Sequence, residues 1–315
     1  MMQSIEISEF GGPEKLKLVS VPIPHIESKM LLIKVHMSSV NPLDCRIREG
    51  YLRQFTGAFP MRLGIDVAGE VVSVGDHVKH FRVGHRVLAK AIDIPGGAYA
   101  QYILLPERAC SHIPSMLDYR NVAGLPHAGL TALQALRDCL GLRAGESILI
   151  NGGSGGVGHL AVQLSKIMCA EVTVTCSSSS VEWMTILGAD RIIDYHKEDL
   201  SAFHGCFDTI FDVAGQLPWE QAKVLLKPRG RYVTTQLSPK LIANSFYEYF
   251  ASGRSVQSVV VRSSRMDMDY LMSLVVNQKL RQQSDRSFPL TKMVQAHRYQ
   301  EKKKGVGKIL IEVAH

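Results

Sequence analysis

The chain lacks the marks of several protein classes. It has 315 residues and only six cysteines, Cys45, Cys110, Cys139, Cys169, Cys176 and Cys206, none paired as CxxC and none at zinc-finger spacing to histidine. A disulfide framework is not expected at this length, and scattered buried thiols in a reducing compartment are. No apolar run approaches the ~20 residues of a membrane helix. The stretch "MMQSIEISEF" has no basic segment ahead of an apolar one, so no signal peptide is expected and the reading is a soluble, cytoplasmic protein. Long blocks of one charge are missing too. The formal net charge is +7, yet the only tight run is Lys302–Lys304, read as a solvated helix end or turn. This balance favours anionic ligands without naming one and leaves nucleic acid as a rival. Apolar residues, by contrast, are plentiful at 46%, which permits a sizeable core and excludes global disorder.

Two textures divide the chain. Up to residue 121, short β-type runs such as "LLIKVHMSSV" (31–40), "GEVVSVGDHV" (69–78), "HRVLAK" (85–90) and "AYAQYILL" (98–105) are broken by Gly, Pro and Asn. They predict a compact, mostly antiparallel β domain. Over 122–261 strands and helices alternate, from "AGLTALQALRDCL" (128–140) and "SILIN" (147–151) to a last strand in "VQSVVV" (256–261), which predicts a doubly wound parallel sheet. Amphipathic helices over 267–280 and 290–304 and a strand over 307–313 are read as the chain re-entering the first domain, so that 262–315 completes it. The fold class is α/β.

"ILINGGSGGVGHLAVQL" (148–164) carries G-x-G-x-x-G at Gly153, Gly155 and Gly158, after one predicted strand and opening one predicted helix. In that setting bare backbone, with Ser154, Gly156 and Val157 between and beside the glycines, meets a pyrophosphate at a helix N-terminus. The alternative is a Gly-rich turn. The next strand ends "VTCSSSS", with no acid between Glu171 and Glu182. An acid there would bind a ribose 2′-hydroxyl and repel a 2′-phosphate. Ser177 and Ser178 would instead donate to the phosphate, which argues for NADPH over NADH. A polar loop capped by Ser180 is the plainer reading, and both can hold.

The ordered set "SSVNPLDCRIREG" (38–50), "LGIDVAGEVVSVG" (63–75), "FRVGHRV" (81–87), "GGAYAQY" (96–102), "AGLTALQAL" (128–136), "NGGSGGVG" (151–158), "LGADRIIDY" (187–195) and "GVGKILIEV" (305–313) resembles the zinc-independent branch of the medium-chain dehydrogenase/reductases: quinone oxidoreductases and the related alkenal/enone oxidoreductases. The resemblance implies a GroES-like catalytic domain, a Rossmann domain, a cofactor in the cleft between them, and a homodimer formed through Rossmann edge strands, here "VQSVVV". Zinc-using relatives keep a Cys and a following Gly-His-Glu. This chain has Cys45 near the first place and Gly64-Ile65-Asp66 at the second, so no metal is expected. Hydride delivery to a conjugated acceptor, a quinone or an α,β-unsaturated carbonyl, needs only hydrogen-bond donors at the oxygen.

Within that frame Asn41 would bond the nicotinamide ribose or the substrate oxygen, or simply make an Asn-Pro turn. Asp44 would orient Asn41 or a water, or serve a turn. Tyr51 resembles a cleft tyrosine able to donate a proton, or is a surface aromatic. Arg48 and Arg53 either flank the cleft or are solvated. On the cofactor side the resemblance points to Thr131, Tyr195, Val213, Ala214, Gly215 and Lys308, whose plainer roles are helix packing, a strand end, a loop and a surface lysine. One departure stands out: no Lys or Arg follows the serines directly. Two rival functions remain, a trans-2-enoyl-thioester reductase and a non-catalytic NADPH-sensing protein that grips RNA or a protein partner.

Overall fold

The computed structural model describes residues 1–237, 241, 247–248, 250–302 and 305–314. They form two compact units. One is Met1–Leu130 with Arg262–Lys304 and Lys308–His315; the other is Thr131–Val261 with Gly305–Gly307. The change of texture at 122 precedes a helix, Leu125–Gln134, and the division falls inside that helix.

The first unit is mostly β. Strands β1 (Met2–Ile7), β2 (Lys17–Val21) and β4 (Met61–Arg62) make a small sheet. A larger one runs β15 (Ser284–Pro289), β16 (Lys308–Glu312), β3 (Met30–Val40), β5 (Asp66–Val74), β6 (Arg86–Lys90) and β8 (Cys110–His112), with β7 (Tyr102–Pro106) also on β3. β3 alternates half-buried and buried residues and then turns continuously buried from Met37 to Val40, although two of those four are serines. Its end therefore enters a polar interior. Helix α1 (Pro42–Arg48) follows at once, with Pro42 preset for the first turn. The apolar core gathers Ile7, Leu31, Ile33, Val35, Val67, Val87 and Ile309, which are fully buried.

The second unit carries a six-stranded parallel sheet in the order β11 (Arg191–Asp194), β10 (Glu171–Cys176), β9 (Ser147–Asn151), β12 (Phe207–Asp212), β13 (Leu226–Thr234), β14 (Ser255–Ser258). Read from β9 as first strand, this is 3-2-1-4-5-6, the doubly wound dinucleotide order. β9 is buried on both faces at Ile148, Leu149 and Ile150, as a central parallel strand must be. Helix α2 (Leu125–Gln134) ends in a π-turn, Ala135–Cys139, and α3 (Gly158–Ile167) follows β9. The strand expected over 256–261 is shorter and earlier, because pairing with β13 ends at Ser258.

Several expectations need correction. Arg48 is not solvated: it is fully buried, and its guanidinium bonds Gly11 O at 2.9 Å, His297 Nδ1 at 3.1 Å and Glu301 Oε1 at 2.7 Å. The thiols are not uniformly buried, since Cys169 and Cys206 are exposed. Lys302 ends a helix (Met293–Lys302), while Lys303 and Lys304 lie outside the described residues. No described helix is long and apolar enough to cross a membrane.

Candidate active site

In the first unit, strand register assembles a cluster from distant residues. β16 pairs antiparallel with β3, Ile309 opposite Val40, and β3 pairs antiparallel with β5. The first residue of β16, the residue after β3 and the first residue of β5 thus become neighbours: Lys308, Asn41 and Asp66. All three are buried. Lys308 Nζ donates to Asn41 Oδ1 at 2.5 Å and Val40 O at 3.3 Å, and stands 3.4 Å from Asp66 Oδ2. Asn41 Nδ2 donates to Asp66 Oδ2 at 2.9 Å. The ammonium has no acceptor to offer, so these neighbours fix which way the Asn41 amide faces. Ser39 also donates to Asp66 Oδ2, and the His127 backbone N–H donates to Oδ1 at 2.7 Å. Burial pushes the Asp66 carboxyl up, but Lys308 and these hydrogen bonds outweigh it, and it settles below the usual carboxylate range. Burial pulls the neighbouring His127 imidazole down to about 3, so it is neutral.

Asp44 stands one step behind. It accepts the Asn41 backbone N–H at 2.7 Å and the Tyr99 hydroxyl at 3.0 Å, which ties the start of α1 to the core. Burial raises its carboxyl to about 7 against the hydrogen bonds that favour its charge.

In the second unit the loops after β9, β10 and β12 converge. Asn151 is the staple: its Oδ1 accepts from Thr175 at 2.7 Å, and its Nδ2 donates to Asp212 at 2.8 Å. The Val213 and Ala214 N–H groups both donate to Asn151 O at 3.0 Å. The glycines divide the labour. A Cβ at Gly153 would lie 1.9 Å from Val174 Cγ2, and one at Gly158 only 2.2 Å from Gly152 O. Those two let the turn close. At Gly155 a Cβ would meet only Gly152 O, at 3.6 Å, so the protein itself does not require glycine there. Bare backbone at Gly155, next to the N-terminus of the ten-residue α3, suits a pyrophosphate. Asp212, buried, also accepts from the N–H groups of Gln216 and Leu217 and the hydroxyls of Tyr232 and Thr234 at 3.1–3.2 Å, fixing the Val213–Gly215 loop.

At the end of β10, Ser177 Oγ lies 3.0 Å from Ser179 Oγ, and Ser178 donates to Asp194 at the end of β11. Tyr195 is 55% exposed, and its N–H donates to Cys176 O at 3.3 Å.

Of the residues expected from sequence, Asn41, Asp44 and Lys308 meet in the first unit. Gly153–Val157, Ser177, Ser178, Tyr195 and Val213–Gly215 line the sheet's C-terminal edge in the second. Thr131 is buried on α2. Tyr51 lies past α1, its N–H donating to Arg46 O at 2.8 Å and the Arg46 guanidinium 5.8 Å over its ring. The Lys308 side chain is interior, not a surface lysine. Sequence reading missed Asp66 as a hub, although it closes the Gly64-Ile65-Asp66 stretch where a metal-ligand histidine was sought and Ile65 stands instead. Asn151, Asp212 and Asp194 were missed as well; each ends a strand just before a turn, which is the one local signal they carry.

Known proteins can now be compared. An alcohol dehydrogenase GroES-like domain model matches residues 27–115, and a zinc-binding dehydrogenase model matches 187–311. The chain is 33% identical to the chloroplastic quinone-oxidoreductase QR1 of Triphysaria versicolor over 99% of this chain and 98% of the relative. It is 36% identical to the chloroplastic NADPH-dependent alkenal/one oxidoreductase of Arabidopsis thaliana, over 74% of this chain and 62% of that one. A quinone oxidoreductase structure from Coxiella burnetii superposes with a TM-score of 0.90 at 33% identity, covering 99% of both chains. The donors here do not fit the zinc of the second model's description. Asp66 is saturated by Ser39, Asn41, His127 and Lys308, and the Cys45 thiol, 3.5 Å from His297 Nδ1, is pushed far above its ordinary range by burial. Among the described residues no group of three or more His, Cys, Asp or Glu could hold a metal ion.

Proposed function

The chain belongs to the quinone-oxidoreductase family of the medium-chain dehydrogenase/reductases, and from that premise we propose that it is an NADPH-dependent reductase of quinones or α,β-unsaturated carbonyls. A nicotinamide cofactor, when bound, supplies the hydride. The glycine turn, with its open approach at Gly155, fits the pyrophosphate, and the serine turn takes the adenosine end.

One observation carries the reading. Asn41 has two amide protons, and among the described residues one of them is taken, by Asp66. Lys308 and Asp66 clamp the amide so that its orientation is set before any ligand arrives. The second proton is then a preorganised donor for an oxygen that gains negative charge as hydride adds to the far end of a conjugated system. Lys308 does not act as a free acid, because its ammonium already faces Asn41, Val40 O and Asp66. Among the described residues β14 closes the parallel sheet with one neighbour, β13, and is the edge through which a homodimer would form.

The test is NADPH and NADH consumption against a quinone, a short alkenal, a long enone and an enoyl thioester, with wild type and Asn41→Ala. Turnover with quinone or enone, reduced at least tenfold in Asn41→Ala, is expected. Turnover confined to the thioester, or RNA binding that weakens steeply with salt in a chain that consumes no NADPH, overturns the proposal.

A further inference from the structure

The acid and the cation that are absent from the linear sequence around the serines are both present in space. β10 and β11 run parallel with Cys176 opposite Asp194, which sets Ser177 and Ser178 beside the end of β11. Asp194 is 6% exposed while Ser178 is exposed. Asp194 Oδ2 accepts the Ser178 hydroxyl, Oδ1 accepts the His196 N–H at 3.1 Å, and Lys197 Nζ stands 3.4 Å from Oδ2.

A serine hydroxyl has a single proton. With that proton on Asp194, Ser178 turns only lone pairs toward anything else that approaches. A ribose 2′-hydroxyl can donate to them. A 2′-phosphate, which only accepts when ionised, cannot, and it also meets the Asp194 charge. Lys197 is the nearby cation, with its side chain 71% exposed, but the same carboxylate holds it.

We infer that Asp194 is the specificity-determining residue of the adenosine end: by holding the Ser178 proton and the Lys197 ammonium it offsets the phosphate preference that the missing acid after β10 creates, so that the chain accepts NADH as well as NADPH. This rests on the dinucleotide reading of the glycine turn. Lowered pKa at Asp194, caused first by the Ser178 hydrogen bond, agrees with a carboxylate that stays charged at neutral pH.

The experiment is calorimetric binding of ADP, 2′-deoxy-ADP and 2′,5′-ADP to the full chain. Wild type is expected to bind ADP and 2′,5′-ADP within about tenfold of each other and to prefer ADP to 2′-deoxy-ADP. Asp194→Asn removes the charge and, with its amide oxygen held by the His196 N–H, turns its NH2 toward Ser178 and so frees the Ser178 proton; it should shift the ratio of dissociation constants toward 2′,5′-ADP by about tenfold, the size of one charge-assisted hydrogen bond. Ser178→Ala should erase the preference for ADP over 2′-deoxy-ADP, and it keeps the test alive if Asp194→Asn fails to fold. Lys197→Ala should weaken 2′,5′-ADP alone. Binding of both nucleotides with a ratio that neither Asp194→Asn nor Ser178→Ala moves overturns the role of Asp194 and leaves the dinucleotide site standing. Failure of all three nucleotides to bind overturns both.

Discussion

Two lysines each stand 3.4 Å from an aspartate, and they are in opposite situations. Lys308 and Asp66 are buried, at 3% and 0% side-chain exposure, and their remaining polar atoms are claimed by Asn41, Val40, Ser39 and His127. Lys197 is largely in water beside Asp194. Equal distances therefore mean different things. A buried pair gains from weak screening but loses hydration on both partners, so removing one strands the other. A wet pair can be parted by salt or by a ligand at little cost. The first suits an unchanging clamp on Asn41; the second suits a contact that a cofactor rearranges.

The largest effect expected is from breaking the buried pair. Asp66→Ala takes the counter-charge from the Lys308 ammonium and the shared acceptor from the Ser39 hydroxyl, the Asn41 amide and the His127 N–H, and urea unfolding should show a loss of about 3–5 kcal/mol. Asp66→Asn with Lys308→Met together should cost less than the sum of the single changes, which a double-mutant cycle would read. If the costs simply add, the clamp is not a unit. Next comes Gly153→Ala, whose methyl collides with Val174 and should cost about 1–3 kcal/mol. Gly155→Ala should leave stability within about 0.5 kcal/mol, yet weaken ADP binding; if it binds ADP like wild type, the pyrophosphate does not approach there.

Asp44 gives a pH signature. Its folded-state pKa, raised by burial to about 7, lies above the unfolded value of about 4. Its contribution is then fully present below about pH 4 and is lost as pH rises through about 7. Urea midpoints should show that fall in wild type and a flatter profile in Asp44→Asn, which keeps an acceptor for Asn41 and Tyr99. The smallest effect is Lys197→Ala, which should leave the melting temperature unchanged; a clear drop would show that the wet pair is structural after all.

How much of this was legible beforehand follows from sequence distance. The glycine turn could be read because its strand, turn and helix are consecutive. The two textures could be read for the same reason, since period and punctuation are local. The serines were legible too, but their surroundings were not. The search for an acid ran along β10, and the carboxylate they meet comes from β11. Arg48 was misjudged because, beyond its neighbour Glu49, its partners Gly11, His297 and Glu301 come from both ends of the chain, and nothing near residue 48 announces them.

By itself the sequence determined where a glycine turn joins a strand to a helix and where Ile65 stands in place of a metal-binding histidine. Backbone conformation and side-chain type are properties of neighbouring residues, so those facts survive without a fold. The tertiary structure alone decided that Lys308, 242 residues from Asp66, would clamp Asn41, and that Asp194 would hold the proton of Ser178. Strand register makes such neighbours, and register is settled by the burial of whole sheets rather than by any short run of residues.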